Sequence, residues 1–286
     1  MAKEVHGFLW GVLAAITGSG MGLFVKLADQ VPVTTIVFIR FALALPIITV
    51  LLLRKKVKLT WEKLPKHLTR SLAGLGALYC YYFALKRLGL VNAVTLRNTA
   101  PLFIPILAFF WFKVIVSKRR IIALCIGFFG VLVFLQPSGD FLKSVNLVAL
   151  LSALFGAIAM LSIRQLSKTE STELILSYYF SICTVITLIP MVFRYKHIHE
   201  LLQWAYLFGA GFCALIFQYT ITKAYMHAPA TKVSTVNYLG VFFGGLFGWI
   251  FFNEIPNIWT WIGSLLIVGG AILALTDRTK PRRLKR

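Results

Sequence analysis

Long unbroken apolar runs are the feature of this sequence that leaves the fewest folds open. Ten lie between bounds of charge, proline or glycine, at 8–25, 33–53, 71–85, 91–112, 121–135, 147–163, 174–193, 202–222, 233–252 and 258–275. A helix rises about 1.5 Å per residue, so about 20 apolar residues cross the hydrocarbon of a bilayer. The runs lack the period-2 alternation of barrel strands, which predicts an all-α polytopic membrane protein with ten transmembrane helices. The third and fifth are short and are expected to borrow flanking residues. The first is not expected to be a signal peptide, since Lys3 is the one Lys or Arg before it and no small-residue cleavage pattern follows. Only 14% of residues are charged, where soluble domains have about 25%. The net charge of +21 is therefore read as membrane topology, and no nucleic-acid partner is expected.

Short loops rich in Lys and Arg stay cytoplasmic. With the N-terminus inside, the inner segments hold 22 Lys and Arg, counting Arg54 through Arg70 as one loop, and the outer segments hold 6. Both ends of the chain are accordingly expected on the cytoplasmic side of the cell (inner) membrane. The basic tail at 279–286 is read as part of this asymmetry, helped by attraction to anionic membrane lipids. Cys80, Cys125, Cys183 and Cys213 fall in four different runs, which suggests neither disulfides nor a metal site.

The chain also matches itself. At a shift of 138, Ala15, Gly18 and Lys26 fall on Ala153, Gly156 and Arg164, and Arg40 and Phe41 fall on Tyr178 and Tyr179. From the third run on the shift is 140, placing Tyr79, Ala84 and Gly130 on Tyr219, Ala224 and Gly270. This predicts two repeats, 1–139 with spans one to five, and 140–286 with spans six to ten and the tail. An odd number of spans per repeat inserts the second copy upside down, as in alternating-access carriers.

The segments YYFALKRLGLVNAVTLRNTAPLFIPILAFFWF at 81–112 and NEIPNIWTWIGSLLIVGGAILAL at 253–275 resemble the ends of the two repeats of EamA-type ten-span proteins in the drug/metabolite transporter superfamily. The resemblance covers nearly the whole chain. It implies a carrier for small metabolites with a cavity between the halves, for substrates such as amino acids or nucleobase derivatives. Similar carriers commonly have Gly-Glu after the ninth span, where this chain has Asn253-Glu254, and often a related acid after the fourth, where it has Lys113-Val114.

A charge inside a span costs roughly 3 kcal/mol or more unless a cavity or partner receives it. Arg40 and Arg97 lie at a common depth in the second and fourth spans and are permanent cations suited to a carboxylate or phosphate. Pro101 and Pro105 lack an N–H, freeing the carbonyls of Arg97 and Pro101 and kinking the helix beside Arg97 and Asn98. The repeat mates of Arg97 and Asn98 are Asn237 and Tyr238. Tyr79, Tyr81 and Tyr82, with Tyr178 and Tyr179, are candidate walls of a polar cavity. Gly240, Gly244 and Gly248 make a smooth stripe for helix packing, and Trp10 is read as an interface anchor. The substrate-binding set is thus Arg97, Asn98, Asn237, Tyr238, Arg40, Tyr79, Tyr82, Tyr178 and Tyr179, with no catalytic residue, metal or cofactor.

The acids and histidines all sit at or beyond span ends, which favours exchange or facilitated diffusion over proton symport. The expected function is secondary transport or exchange of a small anion-bearing metabolite, such as an amino acid or conjugate. S-adenosylmethionine or nucleobase-derivative uptake is the alternative within the class. An integral-membrane transferase or hydrolase is disfavoured because its acids, His or Cys would gather at one face. A channel is disfavoured by the repeat. The sequence is compatible with a homodimer.

Overall fold

The computed structural model describes residues 2–57, 61–112, 114–115, 117–135, 144–195, 197–227, 233, 236, 238–276 and 282–283. Its helices are α1 (Ala2–Leu27), α2 (Val33–Arg54), α3 (Leu64–Leu85), α4 (Leu90–Arg97), α5 (Ala100–Phe112), α6 (Lys118–Leu135), α7 (Ser144–Leu166), α8 (Thr172–Phe193), α9 (Leu201–His227), α10 (Leu239–Phe252) and α11 (Ile258–Thr276). Among the described residues six stretches are long and apolar enough to cross a membrane: His6–Leu27, Val33–Arg54, Leu90–Leu107, Ser144–Leu166, Thr172–Phe193 and Leu201–His227. Ile121–Phe134, Leu239–Phe252 and Ile258–Gly270 are shorter apolar helices. The protein is therefore all-helical and multi-pass. One pairing among the described residues is not helical: Val114 and Ile115 meet Arg283 and Arg282 in a two-residue antiparallel ladder.

The outside of the bundle is apolar. Phe110, Ile189, Phe242 and Leu265 are each more than 60% exposed, as side chains facing lipid tails can be. The core includes Arg40, Arg70, Tyr81, Tyr82 and Tyr179, all fully buried. A bilayer protein with polar groups inside and hydrocarbon outside must have a use for its interior.

The helices pair in a regular way. α1 packs on α9 and α3 on α7, while α2 meets α8, α4 meets α10 and α6 meets α11. The α6–α11 contact shows the regularity at atomic scale. A methyl added to Gly130 would lie 2.7 Å from Ile267 N and 3.0 Å from Gly263 O. One added to Gly270 would lie 2.5 Å from Gly127 N and 2.7 Å from Ala123 O. Shifting Gly130, Ile267 and Gly263 by 140 positions, forward or back, gives Gly270, Gly127 and Ala123, so each contact maps on its reciprocal. That is how an isologous, two-fold contact behaves.

The short third run extends into flanking residues as expected: α3 begins at Leu64, because Pro65 suits a first helical turn and His67 and Arg70 are buried in the bundle. Arg70 therefore belongs to α3 and not to the basic loop before it. Trp10 is half-buried and meets Tyr219 edge-on at 6.3 Å. The glycine stripe does pack closely: methyls at Gly244 and Gly248 would each lie 2.8 Å from Val94 or Val91 of α4.

Because backbone, not a yielding side chain, faces Gly270, Gly270→Ala is expected to cost about 1–3 kcal/mol. A thermal-unfolding midpoint in detergent equal to that of the parent protein would contradict the close α6–α11 crossing.

Candidate functional site

The fourth span is interrupted where proline predicted it. Pro101 cannot donate to the Arg97 carbonyl, so α4 ends at Arg97 and α5 starts at Ala100. Thr99 closes a tighter turn, its N–H donating to Leu96 O at 3.1 Å and its hydroxyl to the same oxygen at 2.7 Å. Asn98 caps α4 with its amide, donating to Val94 O at 2.8 Å. The break lies against α10, where Ser19 of α1 donates to Gly240 O at 2.9 Å.

Beside this break is a cavity of about 100 Å³ walled by α1, α2, α3, α4, α5, α7, α8, α9 and α10, with α6 and α11 standing outside. Three arginines line it: Arg40, Arg70 and Arg97. Among the described residues no Asp or Glu lines it. Arg40 Nη1 donates to Tyr82 Oη at 3.0 Å and approaches Met21 Sδ at 3.4 Å. Its Nε and Nη2 are buried and have no hydrogen-bond partner. Arg70 Nη2 donates to Gln218 Oε1 at 2.9 Å, its guanidinium lies 3.8 Å from the Tyr179 ring centre, and its Nε has no partner. Gly74 makes room for it, since any side chain there would strike Arg70 Nη1. Arg97 is half-buried and lies over the rings of Tyr81 at 4.6 Å and Phe217 at 5.1 Å.

Each cation thus rests on an aromatic face, which attracts it without neutralising it. Two cations about 10 Å apart repel by roughly 2 kcal/mol at an effective dielectric of about 20. A cavity holding three of them is poised for an anion.

Of the nine residues expected to bind substrate, Arg40, Arg97, Asn98 and Tyr179 line this cavity. Tyr82 stands behind Arg40 as its hydrogen-bond partner. Tyr178 does not reach it, because the neighbouring position on α8 faces another way; its ring stacks on His67 at 4.1 Å. Tyr79 and Tyr238 are absent from the wall, where Tyr81 and Gly240 stand instead. Asn237 lies outside the described residues. Arg70, Gln218 and Phe217 are cavity residues that were not among the nine.

Ion pairs stand at both ends of the bundle, and each joins a residue before 140 to one after it. At one end Lys26 pairs with Glu254, whose carboxylate also accepts from Leu90 N at 2.8 Å and Val91 N at 3.0 Å, capping α4. At the other end Lys55 pairs with Glu173 at 2.6 Å, and Glu170 meets His67 at 2.8 Å and Lys63 at 3.7 Å. His67 is fully buried, so it does not simply flank a span. Just beyond α3, Lys86 Nζ donates to Ala28 O and Asp29 O, both at 3.0 Å, and to Val31 O.

The profile of the EamA-like transporter family matches residues 5–136 and again 143–276. A pseudopaline exporter of Pseudomonas aeruginosa is 32% identical over 276 residues, covering 96% of each chain. A riboflavin transporter of Vibrio cholerae is 26% identical over 99% of this chain and 97% of its own. An S-adenosylmethionine uptake transporter of Rickettsia bellii is 24% identical over 75% of this chain and 68% of its own. A solved crystal structure with 17% identity superposes with a TM-score of 0.69 over 94% of this chain and 96% of that one, which shows a shared fold.

The two loop lysines differ in acidity. Burial pushes the Lys86 ammonium down to about 8, whereas the hydrogen bond to the Glu173 carboxylate raises Lys55. A lowered value means the neutral, nucleophilic amine appears at lower pH. Acylation followed by peptide mass spectrometry is expected to show half-maximal reactivity near pH 8 for Lys86 and only above the ordinary lysine range for Lys55. Coincident pH profiles would contradict these surroundings.

Proposed function

This chain belongs to the EamA-like transporter family, and on that premise we propose that it is a secondary carrier for a small anion-bearing metabolite. Its two halves, 1–139 and 140–286, act as inverted repeats that rock about the cavity in the cell (inner) membrane, with both ends of the chain cytoplasmic. The reciprocal contacts of Gly130 and Gly270 support the inverted relation.

The observation that carries the cargo class is the cavity wall, with Arg40, Arg70 and Arg97 and no carboxylate to balance them. Uncompensated charge at bilayer depth is costly, and an anionic cargo relieves it. The relatives named above move pseudopaline, riboflavin or S-adenosylmethionine, so no one cargo transfers by name. Outward movement is the direction we favour, because the exporter is the most similar of those three. The cross-half ion pairs supply the gates. Loss of the Lys26–Glu254 clasp opens the outer end, and loss of the Glu170 and Glu173 pairs opens the inner end. At about 100 Å³ the cavity is smaller than the roughly 300–1,000 Å³ of usual ligand sites, so cargo enters only when one end parts.

The test is counterflow in proteoliposomes, using a labelled cargo found by thermal-shift screening of amino acids, nucleosides and their conjugates. Saturable, trans-stimulated exchange is expected, and Arg40→Gln or Arg97→Gln should each reduce it more than about tenfold while the unfolding midpoint holds. Non-saturating flux would point to a channel, and chemical conversion of the cargo to an enzyme. Full transport by both variants would remove the fixed cations from the mechanism.

A further inference from the structure

Resting on the carrier reading above, we propose that the cargo bears two separate acidic groups, one gripped by Arg40 and one by Arg70, with Arg97 completing the field at the cavity's half-open side.

The case begins with which guanidinium atoms the protein has already used. Arg40 is 1% exposed, and Nη1 is fixed by Tyr82 and Met21. Its two unpartnered atoms, Nε and Nη2, lie side by side along one edge of the group. Their parallel N–H bonds match the two oxygens of one carboxylate. A buried arginine held by its third nitrogen, with this edge unpaired and covered while both ends are closed, is preordered for a carboxylate that reaches it when one end parts.

Arg70 is a second buried cation with hydrogen-bonding capacity left over. It too is 1% exposed, tethered through Nη2 to Gln218 and 3.8 Å from the Tyr179 ring centre, with Nε unpartnered. Arg40 is seven residues from the outer end of α2, whereas Arg70 is fifteen from the outer end of α3. At about 1.5 Å per residue their backbones differ in depth by about 12 Å. The Arg70 guanidinium turns back beside Gly74, which shortens this by about one helical turn of 5.4 Å. Arg40 lies over Phe41 at 5.0 Å, Arg70 over Tyr179 at 3.8 Å, and those two rings meet edge to face at 5.2 Å. The cations are therefore linked through a ring pair, and each keeps N–H groups of its own to satisfy. A monoanion would also leave two of the three charges unbalanced. The class that fits is a compound with two carboxylates, or a carboxylate and a phosphate, several bonds apart.

The probes are the straight-chain α,ω-dicarboxylic acids from adipate to sebacate, with the monoamide and the diamide of each, titrated against the purified full chain. At least one diacid is expected to bind about tenfold or more tighter than its own monoamide. In Arg70→Gln that preference should shrink to about twofold, with the monoamide little affected. Diacids and monoamides binding alike, both better than diamides, would overturn the two-acid inference and leave the anion carrier standing. Equal binding of acids and diamides, or none by any, would overturn both. The comparison among ligands is made on the unaltered protein, so it holds even if the variant fails to fold.

Discussion

A peptide group in hydrocarbon has no water to turn to, and each unpaired N–H or C=O there costs several kcal/mol. Among the described residues the helices meet most of that demand; single prolines interrupt the ladder inside α2, α5 and α8, and the full break between α4 and α5 is placed where protein surrounds it. There the side chains of Asn98 and Thr99 bend back to carbonyls of their own helix, replacing part of the lost ladder. Arg97 stands at the last turn of α4, where a cation is favoured by the helix dipole, and its side chain reaches the cavity between two rings. The proline that breaks the helix and the arginine that ends it are thus parts of one device. Interrupted backbone gives the fold a polar interior without exposing a polar group to lipid.

Charge is then sorted by sign and by place. Among the described residues the cavity wall holds arginines and no acid, while the pairing carboxylates Glu170, Glu173 and Glu254 stand at the two ends. A carboxylate within the cavity would pair with Arg40 or Arg70 and, on the proposed reading, compete with an anionic cargo for the same N–H groups. Aromatic faces do not compete in that way: they steady a guanidinium from above its plane and leave its edge free. The structure therefore spends rings, not acids, on holding its cations.

Most of the fold was legible in the sequence because one physical demand, a long apolar run, writes itself into composition. Gly130 and Gly270, matched in the sequence at a shift of 140, have to be small for the same reason on opposite sides of one crossing. Asn253 was readable only in part. It looked like a departure from Gly-Glu, yet its φ of 52° is the left-handed conformation that asparagine, next to glycine, tolerates best, so it can stand where glycine would. The site was half legible. Arg40 and Arg97 stood out as charges inside runs, but Arg70 sat next to a basic loop and just before Ser71, where the apolar run seemed to begin. Nothing local shows that Gln218 and Tyr179, more than a hundred residues away, receive it. Of the candidate tyrosines Tyr81 and Tyr179 line the cavity and the others do not, since adjacent positions on a helix point about 100° apart and a cluster such as Tyr81 and Tyr82 reveals no phase by itself. One residue faces the cavity, and the next braces Arg40 from behind.

The ion pairs do not follow the repeat. At the shift of 140, Glu254 corresponds to Val114, so the Lys26–Glu254 pair has no copy at the far end of the bundle. At the shift of 138, Glu170 and Glu173 correspond to Pro32 and Thr35, so their pairs have no copy beside Lys26. Glu254 pairs with Lys26 and caps α4, while Glu170 and Glu173 pair at the far end, one of them against a histidine. On the proposed alternating-access reading, a perfectly two-fold carrier would have inward-open and outward-open states of equal energy, and unequal pairs on the two halves would remove that degeneracy.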